Sequence, residues 1–410
     1  MSFSRKVFIL IIIYLLYFLG VFYYLNFDKG IVLWDKDSVS DIEIEEDIVP
    51  EVIEPIKYSS ELTLVGDFLY EEPYYEALKN GEDINLYFSR VKKYFSDDDL
   101  SIGNMEVVIT DGTMELSGVG YSFCAPTFVG DQVIDLDMEV MSTANNHSND
   151  RGLAGRVSTY NYFKNNSDIF PIGTYDESRD VTKNIVEKNN ISFGFLSYTY
   201  ATNEVVDPSL RYSLGLYRDP DSGVITDEYL ELIKNEVNTL RDKVDVLIVM
   251  VHWGDEFTFT PTSEQEFLAN YFNELGVDIV IGNHSHCIQP IKWVHGNHDT
   301  LVYYSLGNFV SADHIVDRTG ETFTNAYQFG LLSKVSVNKV DGVVSIDNIR
   351  TEPIVDYYDT NLRNFILIPF SEYSNDYEVS HYLYSNNFNS NFIKNTYESV
   401  IDLEFRNSVY

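Results

Sequence analysis

The sequence predicts an α/β protein carried on an N-terminal transmembrane helix. Three observations lead there. From Ser60 onward, short apolar runs of strand length alternate with amphipathic stretches of helical period. Polar clusters rich in His, Asn and Asp follow those runs at their C-terminal ends, where α/β sheets place their ligands. Ahead of both, residues 7–25 form an uninterrupted apolar segment.

That segment reads VFILIIIYLLYFLGVFYYL. As a helix it would span about 29 Å at ~1.5 Å per residue, close to the hydrocarbon thickness of a bilayer. Arg5 and Lys6 precede it and Asp28 is the first charge after it. The positive-inside rule then puts residues 1–6 in the cytoplasm and the main domain outside the cell. A cleaved signal peptide is the rival reading. The segment ends in Phe22, Tyr23, Tyr24 and Leu25 rather than a small-x-small cleavage site, which favours an uncleaved single-pass anchor in the cell membrane. Residues 26–58 follow as an acidic linker. Asp41, Glu43, Glu45, Glu46, Asp47, Glu51 and Glu54, with Pro50 and Pro55, favour an extended, self-repelling stalk.

Residues 59–355 read as one domain. Its strands are expected at 62–65, 100–102, 140–143, 191–197, 246–251, 277–281 and 301–305. Helices are expected at 84–95, 154–164, 227–241 and 263–275. The last begins with a capping-box pattern, Ser263 with Glu266, and Gly276 closes it. Residues 356–410 carry a weaker pattern rich in Asn, Ser, Tyr and Phe, and read as a C-terminal extension: a peripheral subdomain or a poorly ordered tail.

The composition, 44% hydrophobic and 22% charged, suits a sizeable core. The net charge of −36 argues against a nucleic-acid partner, because phosphate contact needs a basic face. An acidic field does raise the local concentration of divalent cations. Cys124 and Cys287 are too few for a disulfide scaffold; two buried thiols are favoured over one bond between them.

The chemistry-bearing residues end successive strands. Gly66-Asp67 supplies a carboxylate. Asn104 and Glu106 supply an amide and a carboxylate. Asn146 and His147, with Asp150 nearby, supply an amide and an imidazole; His252 supplies another imidazole; and His284-Ser285-His286 supplies two more. Alternate residues of an extended or turning segment share a face, so His284 and His286 can converge. Four of the eight histidines lie in these loops, while His295, His298, His314 and His381 match no motif and read as surface residues. Mixed carboxylate, amide and imidazole donors suit Mn²⁺ first, with Zn²⁺ or Fe as alternatives, in one or two ions. Two ions ~3.5–4 Å apart clamp both oxygens of an in-line displacement at phosphorus.

Taken in order, these motifs resemble the calcineurin-like metallophosphoesterase superfamily. The nearer resemblance is to its bacterial capsule-synthesis branch, the CapA (PgsA) family of poly-γ-glutamate biosynthesis. It covers roughly residues 60–315. It rests on the motifs above, on His252-Trp253-Gly254-Asp255-Glu256, on Gln289-Pro290, and on Tyr304-Ser305-Leu306-Gly307-Asn308-Phe309. The resemblance implies a four-layer α/β/β/α sandwich. It implies that Asp67 and His286 bind one metal, that Asn146, His252 and His284 bind the other, and that Glu106 bridges. His147 would be a general acid oriented by Asp150, with Asn104 and Asn308 lining the pocket. The first motif departs from the superfamily's Asp-x-His, since Asp67-Phe68-Leu69 lacks the histidine; Glu71 and Glu72 are the nearest replacements in sequence. Two functions follow as expectations. One is a subunit for synthesis or export of an anionic capsule polymer, working with other capsule membrane subunits. The other is an active metal-dependent phosphoesterase of the cell surface.

Overall fold

The computed structural model describes residues 55–119, 122–175, 179–312 and 325–407. The expected anchor at 7–25 and most of the acidic linker lie outside the described residues. Among those described, no helix is long and apolar enough to cross a membrane.

Two sheets dominate. The larger has eight strands: β1 (Lys57–Phe68), β2 (Leu100–Met105), β6 (Val140–Ser142), β7 (Phe170–Ile172), β14 (Asn308–Val310), β15 (Phe329–Val340), β16 (Val343–Tyr357) and β17 (Ile366–Pro369). Their order is β17-β16-β15-β1-β2-β6-β7, with β14 paired to the end of β1. The second sheet holds β8 (Ile185–Lys188), β9 (Ile191–Thr199), β10 (Val246–His252), β11 (Ile279–Asn283), β12 (Ile291–His295) and β13 (Asp299–Tyr303), in the order β12-β13-β11-β10-β9-β8. A small third sheet combines β3 (Val108–Thr110), β4 (Ser117–Val119) and β5 (Ser122–Pro126).

Strand alternation decides the layering. Ile248 and Met250 of β10 join Leu62 and Leu64 of β1 in a core between the two large sheets. Leu247, Val249 and Val251, facing the other way, pack against Ile233, Val237 and Leu240 of α5 (Asp227–Arg241) and Leu268 and Phe272 of α6 (Ser263–Glu274). On the far face of the larger sheet, Val65 and Met105 meet Val129 and Val133 of α3 (Thr127–Asp135) and Phe163 of α4 (Gly152–Asn166). Helices therefore cover the outer face of each sheet. Each fully buried Ile, Leu, Val or Phe contributes about 1.5–3 kcal/mol relative to exposure.

Several sequence expectations change. The helix expected at 84–95 is a single 3₁₀ turn, Ile84–Leu86, followed by the short α2 (Lys92–Ser96). The Tyr87 carbonyl accepts from Leu367 of β17 at 2.8 Å, so it is taken from any helix ladder. The capping box of α6 lies one residue earlier than expected. Thr262 Oγ1 accepts from Gln265 N at 3.2 Å and Gln265 Oε1 accepts from Thr262 N at 2.9 Å. The buried Gln265 amide also donates to Gln289 Oε1 at 2.9 Å, an interior role that exposed Glu266 does not fill.

β16 runs through the 355/356 boundary, and β17 pairs with it. Phe388, Ile393, Tyr397, Ile401 and Phe405 enter the inter-sheet core, so described residues after 355 belong to the same packed body. His381, read as a surface residue, is instead fully buried. Its Nε2 lies 3.0 Å from the Asp356 carbonyl, its Nδ1 accepts from Leu383 N at 3.0 Å, and burial pushes its pKa down to about 4. His295 is exposed and His298 half-buried; His314 lies outside the described residues. Both cysteines are buried free thiols.

Candidate metal centre

Register assembles the site. At the end of β1, Asp67 stands opposite Asn104 of β2 on one side and Asn308 of β14 on the other. In the second sheet His252 ends β10 opposite Asn283 of β11, and His284 follows at once. The strand position before Asp67 needs glycine: a Cβ on Gly66 would stand 1.8 Å from the Gly307 carbonyl oxygen, which accepts from Asp67 N at 3.0 Å.

Two trios of donor atoms result, each within 4.8 Å of one another: Asp67, Glu106 and His286, and Glu106, His252 and His284. Glu106 belongs to both. Asn146 joins the second, its Oδ1 2.8 Å from His252 Nε2, while Glu106 Oε1 lies 3.2 Å from the same nitrogen. Asn104 Nδ2 donates to Asp67 Oδ1 at 2.7 Å, and the His284 backbone N donates to Asp67 Oδ2 at 3.1 Å. Asn308 Oδ1 meets His286 Nδ1 at 2.9 Å, so this amide orients a ring rather than lining open space. His284 and His286 take positive φ values of 93° and 55°, a costly conformation for non-glycine residues that turns both rings inward.

The electrostatics suit a cation. Burial and the neighbouring Glu106 charge push the Asp67 carboxyl well above the usual range, and burial pushes Glu106 up to about 8. Burial holds His252 and His284 far below 6.5 and lowers His286 to about 3, so all three are neutral with lone pairs available at pH 7. Both carboxylate oxygens of Glu106 and Nδ1 of His284 are buried with no hydrogen-bond partner. Unpaired buried polar atoms cost about 1–3 kcal/mol each, more when charged, and a divalent cation would satisfy these together. The residues present fit one or two such ions.

His147 lies beside this cluster. Its Nδ1 contacts Asp150 Oδ2 at 2.8 Å, and Asp150 also accepts from Phe123 N at 2.5 Å. The Phe123 ring meets the imidazole edge-on at 4.6 Å. Glu71 does not replace the missing histidine, since its carboxylate accepts from Ala312 N at 2.5 Å; Glu72 is exposed at the start of α1 (Glu72–Lys79).

Two neighbours escaped the sequence reading, and a third, Glu256, stood in a quoted motif without a role. Tyr200 lays its ring 4.7 Å from that of His284, and Asn203 Nδ2 lies 3.3 Å from His147 Nδ1. Glu256 forms a third trio with His284 and His286. The signal was available: Tyr200 and Asn203 follow β9 as the other site residues follow their strands, and Glu256 stands four residues beyond His252.

Comparison with known proteins gives this geometry a family. Residues 61–313 match the family model described as bacterial capsule synthesis protein PGA_cap. The chain is similar to a capsule biosynthesis protein CapA of Bacillus anthracis, 27% identical over 270 residues, covering 63% of this chain and 62% of that one. It is similar to a PGA biosynthesis protein CapA of Bacillus subtilis strain 168, 30% identical over 178 residues, covering 43% of each. The chain thus spans less than two thirds of the length of either relative. Among solved structures it is similar to a phosphatase of Mycoplasma pneumoniae, with TM-score 0.43, 14% identity, and coverage of 73% of this chain and 95% of that one. It is also similar to a putative 5'-nucleotidase of Staphylococcus aureus, with TM-score 0.42, 13% identity, and coverage of 73% and 55%. Those two likenesses assign no activity here. The match over 61–313 covers more than half the chain, and the protein belongs to the bacterial capsule synthesis family PGA_cap.

Proposed function

We propose that the protein serves synthesis or export of an anionic capsule polymer, poly-γ-glutamate, at the outer face of the cell membrane. Family membership and similarity to the two Bacillus proteins support this reading. In it, residues 7–25 are a single-pass anchor with a cytoplasmic N-terminus, and the domain is of the metallophosphoesterase type. Its partners are other membrane subunits of capsule synthesis or export.

The observation that carries the metal part is Glu106, buried, shared by two of the three donor trios, with no hydrogen bond to either oxygen and His252 Nε2 3.2 Å from Oε1. Asp67, Glu106 and His286 would hold one divalent ion, and Glu106, Asn146, His252 and His284 another. The mixed oxygen and imidazole donors suit Mn²⁺, with Zn²⁺ or Fe as alternatives. When bound, such an ion polarises an oxygen of an anionic group and offsets its charge. The chain's own residues do the rest. Asn104 fixes Asp67, Asn308 fixes the His286 ring, and burial keeps the imidazoles neutral.

A second reading, a working phosphoesterase, is favoured by one pair. Asp150 fixes the orientation of His147 through Nδ1, and Nε2, which Asn203 Nδ2 approaches at 3.5 Å, is the ring atom that would serve the reacting group. The test uses the full chain in detergent. Bound metal is measured first, followed by Mn²⁺-dependent hydrolysis of a generic phosphodiester. Metal without hydrolysis supports a binding subunit, and hydrolysis lost in His147→Ala with metal retained supports the enzyme. Gene deletion must also remove surface polymer; intact polymer would sink the capsule role.

A further inference from the structure

Among the donor groups of the described site, Glu256 differs in its access. Asp67, Glu106 and the three imidazoles are buried, whereas Glu256 is exposed. Its position is nevertheless built. Residues 253–260 leave β10 and are tied down repeatedly. Trp253 N donates to Asn283 O at 3.2 Å, Phe257 N donates to Ser285 O at 2.8 Å, and Gln289 Nε2 donates to Thr258 O at 3.0 Å. Gly254 has a φ of 88°, and the Gln265 amide sits 2.4 Å from where a Cβ would stand. Phe257 takes a φ of 66° and stacks its ring on His286 at 6.0 Å.

This strained, pinned turn delivers the Glu256 carboxylate to the histidine pair from the solvent side. Its oxygen and the donor nitrogens of His284 and His286 lie within 4.8 Å of one another. Tyr200 covers another side of His284. Among the carboxylate and imidazole donors of the cluster, Glu256 is the one that solvent reaches.

We propose that Glu256 is a displaceable ligand, and that a singly charged oxyanion is what displaces it. The inference rests on the metal reading given above. With metal bound and no substrate, the Glu256 carboxylate takes the solvent-facing coordination position. A phosphodiester or carboxylate oxygen enters by replacing it, and Glu256 swings into solvent, where its charge is hydrated. One negative charge leaves as one arrives, so the net charge of the centre is unchanged. A doubly charged phosphate monoester leaves the centre more negative and gains less from the exchange.

The experiment uses full-length protein in detergent with Mn²⁺ as metal and dimethyl phosphate as probe. Mn²⁺ affinity is followed by electron paramagnetic resonance of free Mn²⁺, and probe affinity for loaded protein by calorimetry. In Glu256→Gln, Mn²⁺ binding weakens about tenfold, and dimethyl phosphate binds about tenfold more tightly. Asp255→Asn, which removes an exposed neighbouring charge, changes neither by more than about twofold. Three results overturn the proposal while leaving the metal reading standing. Unchanged affinities in Glu256→Gln make Glu256 a solvated rim residue. Weaker Mn²⁺ binding with no gain in probe affinity makes it a permanent ligand. Equal effects in Asp255→Asn reduce the effect to the general field. If wild-type protein binds no divalent ion, the metal reading falls and this inference falls with it.

Discussion

Asp67 and Asn104 stand directly opposite each other on adjacent parallel strands, with Asn104 Nδ2 donating to Asp67 Oδ1 at 2.7 Å. The amide occupies one carboxylate oxygen, while Oδ2 accepts from His284 N at 3.1 Å and lies 3.7 Å from His286 Nδ1. A side chain that touches no ion therefore sets how Asp67 presents itself to one.

Asn104→Ala should lower Mn²⁺ affinity by about 10–100-fold, the usual effect of losing a partner that orients a ligand. Isothermal titration of wild type and variant measures it. An unchanged affinity would show that the backbone of β1 alone positions Asp67.

Glu106 gives the metal-free protein a pH signature. Its folded pKa of about 8 lies above its unfolded value near 4.5, so the native state holds an extra proton between them. Stability from this group is complete at low pH and is lost as pH rises towards 8. The buried histidines act in the opposite sense, but their contribution is complete once unfolded histidine has titrated, near 6.5. Between pH 6.5 and 8 the Tm of metal-free protein should therefore fall. Glu106→Gln should reduce that slope, to which the buried Asp67, Asp356 and Glu139 also contribute, and saturating Mn²⁺ should reduce it further. Calorimetric scans with chelator and with metal decide the matter.

Under the hydrolase reading, Asp150→Asn should reduce phosphodiester turnover by about 10²–10⁴-fold, because it disturbs the contact that orients the His147 ring. Metal content should stay at the wild-type level by elemental analysis. Turnover retained in full would exclude His147 from proton transfer.

Gly66→Ala should cost about 2–4 kcal/mol, since the new methyl cannot coexist with the Gly307 carbonyl unless β1 and β14 separate. Denaturant titration measures the loss. Because Asp67 follows immediately, Mn²⁺ affinity should fall as well.

His381→Ala separates fold from site. It removes the contact with the Asp356 carbonyl and the acceptor for Leu383 N, both buried, and should destabilise by about 2–4 kcal/mol. Mn²⁺ affinity in the folded fraction should match wild type. A matching loss of metal would mean that the C-terminal segment reaches the centre.

Local pattern revealed much of this molecule. Each of the seven candidate strand segments overlaps a strand, because a strand buried on both faces is apolar over its whole length. The helix at 227–241 matches α5 residue for residue, because its apolar stripe has the period of a helix. Asp67, Glu106, Asn146, His252, His284 and His286 were legible because polar residues at strand ends need a reason to be there. Long-range pairing was not legible. β15 and β16 have outer halves that are partly exposed and mixed in character, so no continuous apolar run marks them. The break in the helix expected at 84–95 depends on a carbonyl claimed by Leu367, far along the chain. His381 looks like a surface residue until Asp356 and Leu383 enclose it. Tyr200, Asn203 and Glu256 become neighbours of the centre only through the alignment of β9, β10 and β11. Local sequence sets which segments are strands and which ends are polar. Register between strands distant in sequence determines which ends meet, and only the folded sheets supply that register.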